Sequence, residues 1–199
     1  TKVIGGKMPI VRSPKGELRD QIRQPLYDTI DLDNASVLPA QFSFFSAVQG
    51  KSLVRSNLRS NSQLETAVSF RCQGLALDAQ NFRALNVNVI PQILERSAIQ
   101  LTVGEKIYWT GTGRIAAGRM YQDTGIATAI LQQYGWAAVQ PVILMGRHII
   151  DINPLQNFNA AFTIGDMTAA ELVAATPVTA DVNVSFVFSL KGLLRRPVQ

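Results

Sequence analysis

The chain has 199 residues but a single cysteine, Cys72, and a single histidine, His148. One cysteine cannot make an internal disulfide framework. One histidine cannot supply the several imidazoles that a cupin-type metal centre needs. No apolar run reaches about 18 residues, so no transmembrane helix is expected. Thr1 to Met8 lack the apolar core of a signal peptide, and no leader is expected there. No Gly-x-Ser-x-Gly elbow occurs, and the 14 acidic residues are scattered, with no spacing that pairs two of them across a cleft. These absences argue against an enzyme. No catalytic, cofactor-binding or metal-ligating residue is assigned, and no cofactor is expected.

What is present is a well-cored composition, 47% hydrophobic, in a chain of single-domain length. The stretch Asp181 to Leu190 organises it. Val182, Val184, Phe186, Phe188 and Leu190 alternate with Asn183, Ser185 and Ser189, Val187 being the exception. This period of two predicts a long strand with one face on a core, and so a second sheet to cover that face. Gln41 to Ser46, with Phe42 and Phe44 on one side, predicts another strand. Val68, Phe70 and Cys72 alternate until Gly74, where the apolar parity switches to Leu75 and Leu77. A β-bulge produces such a shift. Cys72 then points into the core as a small apolar filler. Ile99 to Val103 and Ile107 to Trp109 flank Gly104-Glu-Lys106 as a hairpin. Further strands are expected in 139–152 and 158–164. Short helices are expected near 88–96, at 124–134 and, from the capping box Thr168-x-x-Glu171, before Pro177. About eight strand candidates suit a jelly roll. The expected fold is all-β: a jelly-roll β-sandwich of two antiparallel sheets, with short helices in the connections. The sandwich spans 40–199, with an excursion near 110–138.

Residues 1–39 carry four prolines and no sustained periodicity, and read as an extended basic N-terminal arm. Asp28, Asp31 and Asp33 invite a calcium reading but lack the glycine and distal glutamate of an EF-hand loop. The same residues fit a short edge strand, and both alternatives stay open. The span Gln49 to Glu65, with Lys51, Arg55 and Arg59, reads as a solvated loop, with a basic patch as the other possibility. Gly111-Thr-Gly113-Arg114 lacks the rest of a phosphate-binding loop.

The net charge is +5, and the basic excess sits at the two ends of the chain: six basic against two acidic residues in the first 25, then Lys191, Arg195 and Arg196. Apolar Leu18 and Ile22 intervene between basic residues of the arm. That spacing suits a protein groove first and a membrane surface second, with nucleic acid a weaker candidate. Trp109, Trp136, Tyr121 and Tyr134 are the aromatic platforms that a carbohydrate-binding or lectin-like module would use, which is the alternative function.

Four stretches resemble the single jelly-roll capsid proteins of tailless icosahedral, mainly bacterial, viruses. They are Gln41–Ser46 with 57–64, Phe70-x-x-x-Gly-Leu-Ala-Leu77, the run from Ile93 to Tyr108, and Val184–Gly192 with Arg195–Gln199. The resemblance implies a virion building block that self-assembles into capsomers and an icosahedral shell. It also implies contacts with other capsid proteins, with an internal viral membrane surface as a further partner, and no small-molecule substrate.

Overall fold

The structure is a computed structural model. It describes residues 10–12, 18–32, 41–80, 93–117, 142–144, 149–165 and 184–197. The strands are β1 (Ile10–Arg12), β2 (Leu18–Arg23), β3 (Leu26–Leu32), β4 (Gln41–Phe44), β5 (Ser69–Gln80), β6 (Ser97–Val103), β7 (Lys106–Thr112), β8 (Val142–Ile143), β9 (Ile150–Ile152), β10 (Phe158–Ile164) and β11 (Val184–Pro197), and a short helix, α1 (Gly113–Ala117), follows β7. They form a seven-stranded and a four-stranded sheet, and every pairing is antiparallel. The expected all-β sandwich of two antiparallel sheets is what the chain adopts.

In the larger sheet β2 and β3 are end-to-end halves of one row. They pair with Leu193–Pro197 and Val184–Leu190 of β11, respectively. β8 and β9 likewise share the far side of β5. The smaller sheet runs β4-β10-β6-β7. With each broken row counted once and β1 set aside, the rows in chain order pair first with last, second with seventh, third with sixth and fourth with fifth. The described chain is therefore a long hairpin folded over on itself, closed at the β6–β7 turn. Gly104 occupies that two-residue turn with φ +62°, a conformation that glycine adopts without a Cβ penalty.

Phe186, Phe188 and Leu190 of β11 face the smaller sheet and are fully buried. Phe188 meets Phe44 of β4 at 5.4 Å between ring centroids, and Phe186 meets Phe162 of β10 at 5.3 Å. Tilted pairs of this kind add about 0.5–1.5 kcal/mol each beyond their buried area. The opposite side of the strand is not the open polar face that alternation suggests, since Ser185, Val187 and Ser189 are also buried.

Two further expectations change. The arm does not extend to residue 39 as a separate element. Residues 18–32 are strands of the larger sheet, and Leu26 and Ile30 belong to the core. The scattered apolar residues there are one side of two short strands interrupted at Pro25, which has no N–H for the ladder. A truncation after residue 25 would remove β1 and β2, so the boundary drawn at 39 cuts through the sandwich. Phe45, which falls outside the β4 parity, is buried because its φ of +68° turns the side chain inward, onto Phe158 at 5.2 Å. The helical turn near 88–96 is present at 93–95. The helices expected at 124–134 and after Thr168, His148, and most of the 110–138 excursion lie outside the described residues.

The parity switch in β5 is a bulge. Cys72 pairs with Gly192 and Gly74 with Lys191, which leaves Gln73 as the extra residue. Phe70, Cys72, Leu75 and Leu77 are all buried as a result. The break at Gln24–Pro25 and the gap between β8 and β9 fall at the same level, so one line of irregularity crosses every row of the sheet from β2–β3 to β8–β9. At that line Gly192 lets β11 approach β5. A Cβ there would overlap the Arg71 carbonyl and stand 2.9 Å from Phe70 Cζ. Gly192→Ala should therefore cost roughly 2–3 kcal/mol. For a chain of this size that lowers the melting temperature by roughly 4–12 °C. A thermal melt superimposable on the parent's would remove this account of the glycine.

Candidate interaction surfaces

The polar span after β4 is not a freely solvated loop. It wraps the outer edge of β3, whose backbone groups would otherwise be unpaired. Asn57 N–H donates to Tyr27 O at 3.3 Å, and Tyr27 N–H donates to Asn57 Oδ1 at 2.9 Å. Asn57 Nδ2 reaches Pro25 O at 2.7 Å, and Lys51 Nζ reaches Thr29 O at 2.7 Å. Thr29 Oγ1 donates to Arg55 O at 2.7 Å, and the Tyr27 hydroxyl donates to Leu53 O. Val48, Leu58 and Leu64 anchor the span in the core.

At the centre lies Asp28, on the inner face of β3 between Leu26 and Ile30, its side chain fully buried. One carboxylate oxygen accepts the Phe45 N–H at 2.7 Å and the other meets Lys51 Nζ at 2.8 Å. Asp31 points to the opposite face, where Arg55 and the Ser185 hydroxyl both donate to it. Burial alone would raise the Asp31 carboxyl, but the hydrogen bonds from Arg55 and Ser185 and the nearby positive charges outweigh it and hold the group below the usual value. The two aspartates thus stand on opposite faces of a strand, each held by a cation. Asp33 lies outside the described residues, and no cluster among those described could hold a metal ion. The edge-strand alternative is the one realised.

Cys72 is buried, and desolvation, only partly offset by its hydrogen bond to Gly74 O, pushes its thiol up to about 12. That makes it a poor nucleophile at neutral pH. Trp109 is half-buried against the core, its ring over Gly111, and is not a free platform. Trp136, Tyr121 and Tyr134 lie outside the described residues. The Gly111–Arg114 run ends β7 and opens α1.

Two surface features stand out. Exposed apolar side chains sit at turns, on β7 and on α1: Leu53 and Val54, 77% and 84% exposed, at the tip of the wrapping span, with Ile107, Ile115 and Leu155 elsewhere. The second feature is charge. Below the irregular line strand alternation puts Arg19 and Arg23 of β2, Arg195 of β11 and Arg71 of β5 on one outward face, and Lys191 continues it at the line itself. The carboxylate on this face is Asp151, which takes a two-pronged contact from Arg71 at 2.8 and 3.1 Å. That hydrogen bonding, outweighing partial burial, holds the Asp151 carboxyl below its usual range. Arg19 and Arg23 from one end of the sequence and Lys191 and Arg195 from the other are therefore neighbours in the fold. Ile22, which separates Arg19 from Arg23 in sequence, lies on the other face.

Comparison with known proteins returns no matching family model, no matching curated protein and no matching solved structure.

Two outcomes follow for stability. Lys51→Met leaves a buried carboxylate without its cation and should cost about 3 kcal/mol or more in urea titration. Adding Asp28→Asn should recover part of that loss. A single variant as stable as the parent would show that the pair does not hold the edge. For Asp31 and Asp151 the folded-state values lie below the usual 3.8, so their contribution is present above that pH and is lost as pH falls through the folded values. The Asp31→Asn/Asp151→Asn variant should lose less stability between neutral pH and the acid limb than the parent does. Parallel curves would refute the assignment.

Proposed function

We propose that this chain is a structural shell protein: a jelly-roll capsid protein of a tailless icosahedral virus that self-assembles through repeated copies of itself. The observation that carries this reading is the nested strand order. A long hairpin folded so that first pairs with last and fourth with fifth, its rows divided between two four-row sheets plus β1, supports a jelly-roll reading, a plan used by viral shells and lectins. Fold alone does not decide between those uses. The surface favours a shell. The half-buried Trp109 is spent on packing, while adjacent Leu53 and Val54 project almost entirely into solvent from a span that is otherwise tightly tied down. Apolar side chains on a rigid tip suit a contact with another copy, where burying each is worth about 1.5–3 kcal/mol. The proposed location is the virion, with other capsid proteins and an internal membrane surface as further partners.

Size-exclusion chromatography with light scattering, followed by negative-stain microscopy, tests this reading. Closed symmetric oligomers or shells are expected. A monomer at every concentration and salt condition would overturn it. The Leu53→Ser/Val54→Ser variant should keep its melting temperature, since exposed positions away from special features change stability by less than about 0.5 kcal/mol. It should shift the assembly threshold to higher protein concentration; an unchanged threshold would remove this tip from the contact.

A further inference from the structure

The outward basic face has no counterpart elsewhere in the described chain. Arg23 and Arg71 flank Leu193 in one cross-strand row, with Arg195 one step along β11 on the same side and Lys191 one step the other way. Diagonal neighbours in a sheet stand about 7–8 Å apart, and like charges so placed repel. Among the described residues Asp151 is the carboxylate that the face engages, through Arg71 and both of its oxygens.

We propose that this face binds the phosphate backbone of a nucleic acid without reading its bases. The cations are mainly arginines, whose planar forks match phosphate oxygens in pairs. The residues of the face that carry the argument include no aromatic ring on which a base could stack, so binding is sequence-independent and electrostatic. A lipid surface is the weaker partner, because none of the exposed large apolar side chains among the described residues is one of the residues placed on this face. A second copy is also weaker, because each copy carries a net charge of +5. The inference does not rest on the shell reading, since the face is complete in one chain.

Fluorescence anisotropy of a labelled oligothymidylate with the full chain, across a salt series, tests it. Binding should weaken linearly on a log–log plot, and each lost contact should reduce the slope by about 0.7 for a single strand. Arg23→Gln/Arg195→Gln should therefore reduce the slope by about 1.4. Arg59→Gln, an exposed arginine on the wrapping span, should leave it unchanged. Lys191→Gln, also exposed, provides a one-contact test should the double variant fail to fold. A slope indifferent to both face variants overturns the proposal. So does retention on phosphatidylserine vesicles or polyglutamate with no binding to the oligonucleotide, which would reassign the face to a membrane or an acidic protein.

Discussion

A carboxylate buried at the rim of an aromatic core constrains much of this fold. Asp28 faces inward opposite Phe188, and removing an ionised carboxylate from water costs several kcal/mol unless donors surround it. Its donors come from two places: the Phe45 N–H, immediately after β4, and Lys51, further along the span. Satisfying Asp28 therefore fixes where the chain turns out of the smaller sheet. It also holds Phe45 in the left-handed conformation that sends its ring to Phe158 and Phe188. Ser62 N–H closes the turn by donating to Phe45 O at 2.7 Å. A residue at positive φ is costly by itself, on the order of 1–3 kcal/mol, and here both of its backbone polar groups are engaged.

The same ties solve the edge of β3. An exposed strand edge invites pairing with other chains, which is harmful for a protein that must choose its contacts. Wrapping the edge with side-chain and backbone partners from the next span removes that option, while Leu53 and Val54 stay free at the tip. The β7 edge is treated differently: Tyr108 is an extra residue against β6, a bulge that breaks the regular ladder, and Lys106 lies over its ring at 5.1 Å. At these two edges the described surface therefore offers side chains and not an open, regular ladder.

Much of this was legible in advance because period-two alternation is a strong signal on buried strands. Phe186, Phe188 and Leu190, the Gly104 hairpin and the parity change near Gly74 all follow from it. What was hidden lay where alternation is short or interrupted. In 18–32 a proline splits the pattern into two pieces of six and seven residues, and an aspartate occupies a core position, so the strands read as an arm. Nothing in the residue types reveals that Asp28 finds Lys51 or that Phe45 adopts positive φ, since both depend on a return of the chain from a distance. Gly192 was equally opaque, because its need for a bare Cα comes from β5.

Charge shows the same limit with a larger consequence. Along the sequence Arg19 and Arg23 are diluted by Leu18 and Ile22, and the tail arginines lie more than a hundred residues away. Dilution in sequence is not dilution in space when the segment is a strand, because alternation sorts neighbours to opposite faces. Ile22 goes to the inner side, opposite Leu194, and the cations on either side of it in sequence are left outside. The irregular line at Gly192 then separates this basic half from the half where Ser185, Val187 and Ser189 are buried. One sheet thereby carries a covered region and a charged one, and the bulge that lets the core keep its parity also marks the border between them.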